Sequence, residues 1–108
     1  MSLVAPFITN AEDGVLNYFE VKNGVQMEVP NYGDVSEGDM VTVFWGNVFK
    51  LERIVLDPEE IPFYYDVSND FPPACLYDGE YMVYYTVEDK VGNITTSDAV
   101  TIKVSTNS

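Results

Sequence analysis

The stretch DGEYMVYYTVEDKVGNITTSDAVTIKV, residues 78–104, decides the fold class of this chain. It alternates apolar and polar residues on both sides of a turn at 89–93, where Gly92 and Asn93 supply the positive φ that a tight hairpin needs. Strict alternation is typical of strands that are buried on one face. The segment therefore predicts the closing hairpin of a β-sandwich. Its inward-facing residues are Tyr81, Val83, Tyr85 and Val87 before the turn and Val100, Ile102 and Val104 after it.

The remaining sequence predicts further short strands separated by turn-forming residues. About seven such strands in about 100 residues, without a helix of 3.6-residue period, are typical of an Ig-like Greek-key β-sandwich, an all-β fold. We expect strands over Val4–Thr9, Val25–Val29, Val41–Trp45, Phe49–Leu56 and Ile61–Val67, an extended edge segment over Val15–Val21 and a short helical turn over Phe71–Leu76.

The length of 108 residues corresponds to a single domain that can bury a core of its own. We expect the β-sandwich to span residues 4–104. Residues 1–3 resemble a cloning remnant, and residues 105–108 are expected to begin a linker. Both ends suggest a domain cut from a longer chain.

The charge balance limits the partners of this domain. Eighteen acidic residues against five basic ones give a net charge of −13. Such a surface repels nucleic acid and anionic lipid, and no apolar run approaches the ~18 residues of a membrane span. We therefore expect no nucleic-acid partner and no membrane insertion. The same charge resists self-association and predicts a monomer.

The residue inventory argues against an enzyme. The chain has no His, which removes the usual general base and the Ser–His and Cys–His pairings. Cys75 is the single cysteine, so no intrachain disulfide is expected, and its apolar neighbours favour a packing role over that of a nucleophile. The chain also has no Gly-rich phosphate loop.

Three segments carry a family resemblance: Gly38–Trp45 after the loop Val29–Tyr32, the stretch Ile61–Leu76, and the hairpin Asp78–Asn93. Together they resemble the bacterial Ig-like domains repeated in tandem in large surface and adhesin proteins of Gram-negative bacteria. The resemblance covers nearly the whole chain, including an opening similar to that of such repeats. It implies a non-catalytic spacer or adhesive module, extracellular or at the cell surface. Its expected partners are neighbouring domains of its own chain and a host-surface protein or carbohydrate.

Calcium is the one cofactor that the loops suggest. In an Ig-like sandwich the B–C and F–G loops lie at one pole, and Ca²⁺ takes six to eight oxygen ligands. No continuous EF-hand spacing is present, and Asp and Asn are also common turn formers, so turn chemistry is the favoured interpretation of the same residues. The candidate ligands are Asp34, Glu37, Asp39, Asp89 and Asn93.

Aromatic side chains are expected on both faces of the central strands. Outward-facing Phe44, Met82 and Tyr84 form a candidate binding platform. This platform favours the alternative function, a carbohydrate- or protein-binding accessory module of a secreted protein. A third alternative is strand addition by a partner at an open edge. The expected core comprises Trp45, Tyr81, Val83, Tyr85, Ile102 and Val104, with Tyr81 as a candidate tyrosine corner.

Overall fold

A computed structural model describes residues 3–11 and 13–106 and shows a mostly β domain built from two sheets. Short 3-10 helices lie at Pro58–Glu60 and Pro73–Leu76. The other elements, in chain order, are β1 (Phe7–Ile8), β2 (Val15–Asn17), α1 (Tyr18–Asn23), β3 (Gln26–Val29), β4 (Met40–Trp45), β5 (Phe49–Ile54), β6 (Phe63–Asp66), α2 (Val67–Asp70), β7 (Gly79–Glu88), β8 (Ile94–Thr96) and β9 (Val100–Ser105).

The smaller sheet has the order β1-β3-β6, and the larger sheet has the order β2-β9-β7-β4-β5. All neighbours are antiparallel except β2 and β9, which run parallel. β7 is long enough to pair with β9 along its first half and with β8 near its end. The long central strand therefore organises the larger sheet.

The core lies between the two sheets, as the alternation predicts. In β4 every second residue is buried, and β7 repeats this pattern from Tyr81 to Val87. The smaller sheet faces them with Met27, Val29 and Phe63. All of the residues expected in the core are buried: Trp45, Tyr81, Val83, Tyr85, Ile102 and Val104.

The prediction of one extended segment over Val15–Val21 is wrong. Only β2 is extended, and α1 follows it directly. Asn17 begins the helix because its side chain accepts the Glu20 N–H at 2.9 Å, while the Glu20 carboxylate accepts the Asn17 N–H at 3.0 Å. This capping box supplies local hydrogen bonds that an apolar–polar pattern does not reveal.

Other predicted boundaries also shift. β1 is limited to two residues, β5 ends at Ile54, and β6 begins at Phe63 after a cis Ile61–Pro62 bond. Val67 opens α2 because the Asp66 side chain accepts the Asn69 N–H at 3.2 Å. The short helical turn expected within Phe71–Leu76 is present at Pro73–Leu76.

The strand count in the described residues is nine rather than about seven. The opening of the chain contributes β1 to one sheet and β2 to the other, and the returning arm of the last hairpin is divided into β8 and β9. None of the helices in the described part of the chain is long and apolar enough to cross a membrane.

The two ends of the described chain are tied to the sandwich. Leu3 forms a parallel bridge with Ser97, and β9 continues through Ser105. Beyond it, the Thr106 N–H donates to the Asp78 carboxylate at 3.1 Å. The expected remnant therefore overlaps a paired residue at Leu3, whereas residues 1–2 and 107–108 of the expected terminal segments lie outside the described residues.

Candidate functional site

A cavity of about 580 Å³ opens where the loop 30–39 meets the turn 89–93, and we call it the loop-pole cavity. It combines acidic, apolar and aromatic side chains with one lysine. The structure brings to this single cavity all five residues proposed from the sequence as calcium ligands: Asp34, Glu37, Asp39, Asp89 and Asn93.

Asp39 is the buried acid of the cavity, with 3% of its surface exposed. Its carboxylate accepts the Tyr32 hydroxyl at 2.8 Å and the Ser36 N–H at 3.0 Å. Burial and the hydrogen bond to Asp39 hold the pKa of Tyr32 well above its ordinary value, so the phenol remains a donor. Asp39 thus fixes the loop that leads into β4.

Asp89 organises the turn on the other side of the cavity. Its carboxylate accepts the N–H groups of Val91 at 3.0 Å and Asn93 at 2.9 Å, and the Asn93 side-chain amide at 3.2 Å. The hydrogen bond from the Asn93 N–H is the main reason why the pKa of Asp89 lies below its ordinary value. The side chain therefore performs the turn chemistry that the sequence allowed for it.

Lys90 brings a positive charge of the chain itself into the loop-pole cavity. Its stem lies over Gly38, where an added Cβ would come within 2.4 Å of the Lys90 Cε. Gly38 also has φ +93°, a backbone conformation that residues with a Cβ atom disfavour. The positive φ is therefore the main reason for glycine at this position, and the space above it is occupied by the lysine stem.

The calcium prediction stays a prediction. Among residues 3–11 and 13–106, no group of three or more His, Cys, Asp or Glu side chains is arranged to hold a metal ion. Thermal unfolding with millimolar Ca²⁺, and with Mg²⁺ as the control, tests it. A calcium-specific rise of several degrees would support a site, and identical unfolding temperatures would leave the acids as loop-forming acceptors.

The proposed binding platform lies on the outer face of the larger sheet. Phe44 and Tyr84 are direct cross-strand neighbours, and their rings stack with centroids 4.7 Å apart and an angle of 14° between planes. Met82 lies two residues before Tyr84 on β7 and is 57% exposed. Because the two rings cover each other, they do not lie side by side as a flat surface for a sugar ring.

The sequence did not identify Tyr32 or Lys90 as parts of the cavity. Tyr32 connects the loop to the core, since its ring lies 6.3 Å from that of Tyr85. The Tyr85 hydroxyl in turn donates to the carbonyl of Val4 at 2.6 Å. For Tyr32, the one sequence feature that could have indicated this contact is the presence of a tyrosine in a loop of turn-forming residues. No feature of the sequence indicated that Lys90 would line the cavity.

The opposite pole is held by hydrogen bonds to the segment before β7. The Tyr81 hydroxyl lies 2.5 Å from the carbonyl oxygen of Tyr77 and 3.0 Å from that of Ala74. Trp45 Nε1 donates to the carbonyl of Cys75 at 2.8 Å. Burial raises the pKa of the Cys75 thiol to about 11, so the thiol stays protonated and unreactive at neutral pH.

Comparison of the chain with models of protein families, with curated protein sequences and with solved structures finds no match. The geometry alone defines the class: a two-sheet, mostly β domain with an acidic cavity at one pole and a hydrogen-bonded corner at the other. Its function is inferred from these features.

Proposed function

We propose that this chain is a non-catalytic Ig-like module of a larger bacterial surface protein, in which it acts as a spacer or adhesive element. The proposal joins the family resemblance of the sequence to four features of the molecule. These are the strand order, two side chains typical of Ig-like sandwiches, the position of the chain ends, and the pairing of the terminal strands.

The strand order supports an Ig-like Greek-key topology. β1, β3 and β6 correspond to strands A, B and E of one sheet. β4, β7 and β9 correspond to strands C, F and G of the other, with β5 as an additional C′ strand beside β4. Under this correspondence β2 is a second part of the first strand, paired with the last one.

Two side chains occupy positions typical of Ig-like sandwiches. Trp45 is 1% exposed and lies on the strand that corresponds to C. Tyr81 lies near the start of the strand that corresponds to F, and its hydroxyl contacts the backbone four residues upstream. This contact is the geometry of a tyrosine corner.

The position of the chain ends is the observation that carries the spacer role. Leu3 and Val4 lie beside the second half of β7, where Val4 accepts the Tyr85 hydroxyl. Thr106 lies beside Asp78, just before β7 begins. The molecule is elongated, with extents of 47 × 23 × 21 Å. Segments joined at the two ends would therefore leave from opposite poles, as in a string of domains.

The pairing of the terminal strands suits a module under tension. β2 runs parallel to β9 over Val15–Asn17, and the Lys103 N–H also donates to the Gly14 carbonyl at 2.8 Å. Force applied at the two ends would pull these parallel strands in opposite directions. The ladder would be loaded in shear, so that several hydrogen bonds must break together rather than one by one.

Single-molecule force spectroscopy tests the mechanical role. The domain is pulled once through its two ends and once through Asn47 and the carboxyl-terminal end. Asn47 lies in the exposed turn between β4 and β5, at the same pole as Thr106, so the second geometry peels the strands apart. We expect a clearly higher unfolding force for the end-to-end geometry, because shear loads the hydrogen bonds of the ladder together. Equal forces in both geometries would contradict the spacer role.

The binding-module alternative rests on Phe44, Met82 and Tyr84. The face-to-face stacking of Phe44 on Tyr84 supports cross-strand packing more than a sugar platform. A glycan array screened with the domain and with Tyr84→Ala separates the two functions. Binding that Tyr84→Ala abolishes, in a variant that remains folded, would favour the accessory module over the spacer.

A further inference from the structure

β5 forms an open edge of the larger sheet. It pairs with β4 along its whole length, and no strand in the described residues pairs with its other side. The strands β1, β2 and β6, which also end their sheets, have two, three and four residues, whereas β5 has six. An open strand of this length is a template for pairing with another chain.

The backbone groups that face away from β4 can be assigned from the ladder. Val55 donates its N–H to the Asp39 carbonyl at 2.8 Å, so odd-numbered residues hydrogen-bond toward β4. The N–H and C=O groups of Lys50, Glu52 and Ile54 therefore point outward. Both charged side chains are exposed, and the one ion pair in the described residues, Arg53–Glu60 at 3.9 Å, involves neither of them.

The sequence of this edge is complementary to itself. When a second copy of Val48–Ile54 is placed antiparallel with Leu51 opposite Leu51, Lys50 stands opposite Glu52, twice. In the same register Phe49 stands opposite Arg53 and Val48 opposite Ile54. Opposite charges and apolar pairs are each favourable across strands, whereas the Arg53 guanidinium and the Phe49 ring already have partners within the domain, Phe63 and Phe71.

This register also satisfies the hydrogen-bond pattern. Lys50 and Glu52 both have outward-facing backbone groups and become hydrogen-bonded partners, while the two-fold axis passes through a non-hydrogen-bonded Leu51 pair. Shifting the centre by one residue in either direction places Lys50 opposite Lys50 or Glu52 opposite Glu52. The Leu51-centred register is therefore the one among these three that avoids like charges.

Exposure supports an apolar contribution as well. Leu51 lies on the inner face, directly opposite buried Val43, yet is 37% exposed. Val48 is 43% exposed and Ile54 is 48% exposed. In the Leu51-centred register these three side chains contact their counterparts, so the apolar surface that β4 and the smaller sheet leave uncovered is removed from water.

We propose that β5 is a homotypic interaction edge, at which two copies of the domain pair antiparallel about Leu51 and join their larger sheets into one. A single pair of six-residue strands buries less than a stable interface does, so the association is weak and reversible. This proposal differs from the monomer that the net charge of −13 predicts. The edge itself is not acidic, because β5 carries two basic residues, Lys50 and Arg53, and one acidic residue, Glu52. The inference does not rest on the proposed spacer role.

Sedimentation velocity at protein concentrations up to about 1 mM and about 0.15 M salt tests the association, since this ionic strength screens the long-range repulsion. We expect the native chain to form dimers. Lys50→Glu and Glu52→Lys each convert two opposite-charge pairs into like-charge pairs and should weaken dimerisation by about tenfold or more. The double variant Lys50→Glu/Glu52→Lys restores both pairs and should restore the native dissociation constant.

A matched exchange on the same sheet controls for net charge. Glu80 and Lys103 are exposed, directly paired residues of β7 and β9. Glu80→Lys and Lys103→Glu change the net charge by the same amounts as the β5 exchanges and should leave dimerisation unchanged. Changes that follow only the net charge, with Lys50→Glu and Lys103→Glu weakening dimerisation alike and Glu52→Lys and Glu80→Lys strengthening it alike, would show that total charge controls the association and would overturn the proposal.

Leu51→Cys tests the register directly. Two cysteines in a non-hydrogen-bonded pair have Cα atoms within disulfide distance, so mild oxidation should give a covalent dimer. Cys75 is fully buried and does not compete, and Met82→Cys, at a position that is 57% exposed against 37% for Leu51 but is remote from β5, should remain monomeric. A native chain that stays monomeric at about 1 mM, or Leu51→Cys that cross-links no faster than Met82→Cys, would overturn the proposal.

Discussion

β4 and β5 are adjacent strands of six residues, paired along their whole length, yet their surroundings differ completely. In β4 every second residue is buried, whereas β5 has no buried residue. The pair Val43 and Leu51 makes the contrast clear, because the two residues stand opposite each other on the same face and are 1% and 37% exposed.

The difference arises from the facing layer. β4 and β7 lie under the smaller sheet, whose last strand on this side is β6. Arg53 on β5 covers the edge of that sheet, with its guanidinium carbon 3.9 Å from the centre of the Phe63 ring. Whether a strand is buried therefore depends on whether another layer covers it. Apolar residues on the strand make that burial favourable but do not produce it by themselves.

The first prediction, for which we expect the greatest loss of stability, compares Val43 with Leu51, which stand opposite each other. Val43→Ala should lower the free energy of unfolding by about 2–3 kcal/mol, because it removes buried methyl groups and leaves a cavity. Leu51→Ala should cost under about 1 kcal/mol, although it removes more atoms, because 37% of the Leu51 surface is already exposed to solvent. Urea unfolding at low protein concentration measures both. Equal losses of unfolding free energy for the two variants would show that Leu51 is shielded from water in solution.

The second prediction compares Asp39, which directly precedes β4, with Glu60, which lies in the 3-10 helix that follows β5. Asp39→Ala should cost about 2 kcal/mol, since it leaves the Tyr32 hydroxyl and the Ser36 N–H without their buried acceptor. Glu60→Ala removes an acceptor of the Leu56 and Asp57 N–H groups, but these are exposed and water can replace it, so we expect a cost under about 1 kcal/mol. Chemical unfolding checks the order. A larger loss for Glu60→Ala would contradict it.

The third prediction concerns the tyrosine hydroxyls beside each strand. Tyr85 neighbours Val43 and donates to Val4, so Tyr85→Phe should cost about 1 kcal/mol. The buried Tyr65 hydroxyl, near Arg53, has no hydrogen-bond partner in the described residues, so Tyr65→Phe should be neutral or slightly stabilising. Thermal unfolding of both variants provides the measurement. A clear loss for Tyr65→Phe would reveal a partner for that hydroxyl.

The smallest expected effect is the acid response of the turn after β7. The pKa of Asp89 is lower in the folded chain than in the unfolded chain, so its stabilisation is present above about pH 4 and is lost as the pH falls through the folded pKa. Asp89→Asn keeps acceptors for the turn but cannot titrate. It should therefore flatten the fall of stability below about pH 4. NMR titration of the native carboxylate checks the direction of the pKa shift.

Much of the larger sheet follows from local sequence. The alternation in 78–104 predicted which residues of β7 and β9 face inward, and the same logic applied to Val41, Val43 and Trp45 of β4. The apolar–polar pattern did not predict the places where a side chain forms hydrogen bonds with the backbone and thereby ends a strand. Asn17 and Asp66 each cap a short helix and end the adjoining extended segment, and such capping depends on individual hydrogen bonds rather than on periodicity.

The candidate site was predictable only in part. The Ig-like strand order expected from the sequence placed the loop 30–39 and the turn 89–93 at one pole, and acids from both line one cavity. Their partners were not predictable, because the contacts of Asp39 with Tyr32 and of Lys90 with Gly38 depend on how the two loops pack. The stacking of Phe44 on Tyr84 required the register of β4 against β7.

From the sequence alone, the main strands of the larger sheet, their inner faces and the acidic, His-free composition could be predicted, because alternation acts between neighbouring residues. The tertiary structure decided which strand lies in the centre and which at an edge, because that depends on pairings between residues far apart in the chain. β5 illustrates both contributions. Its residues predicted a strand, but only the absence of a covering layer and of a second neighbour in the described fold leaves it an open edge.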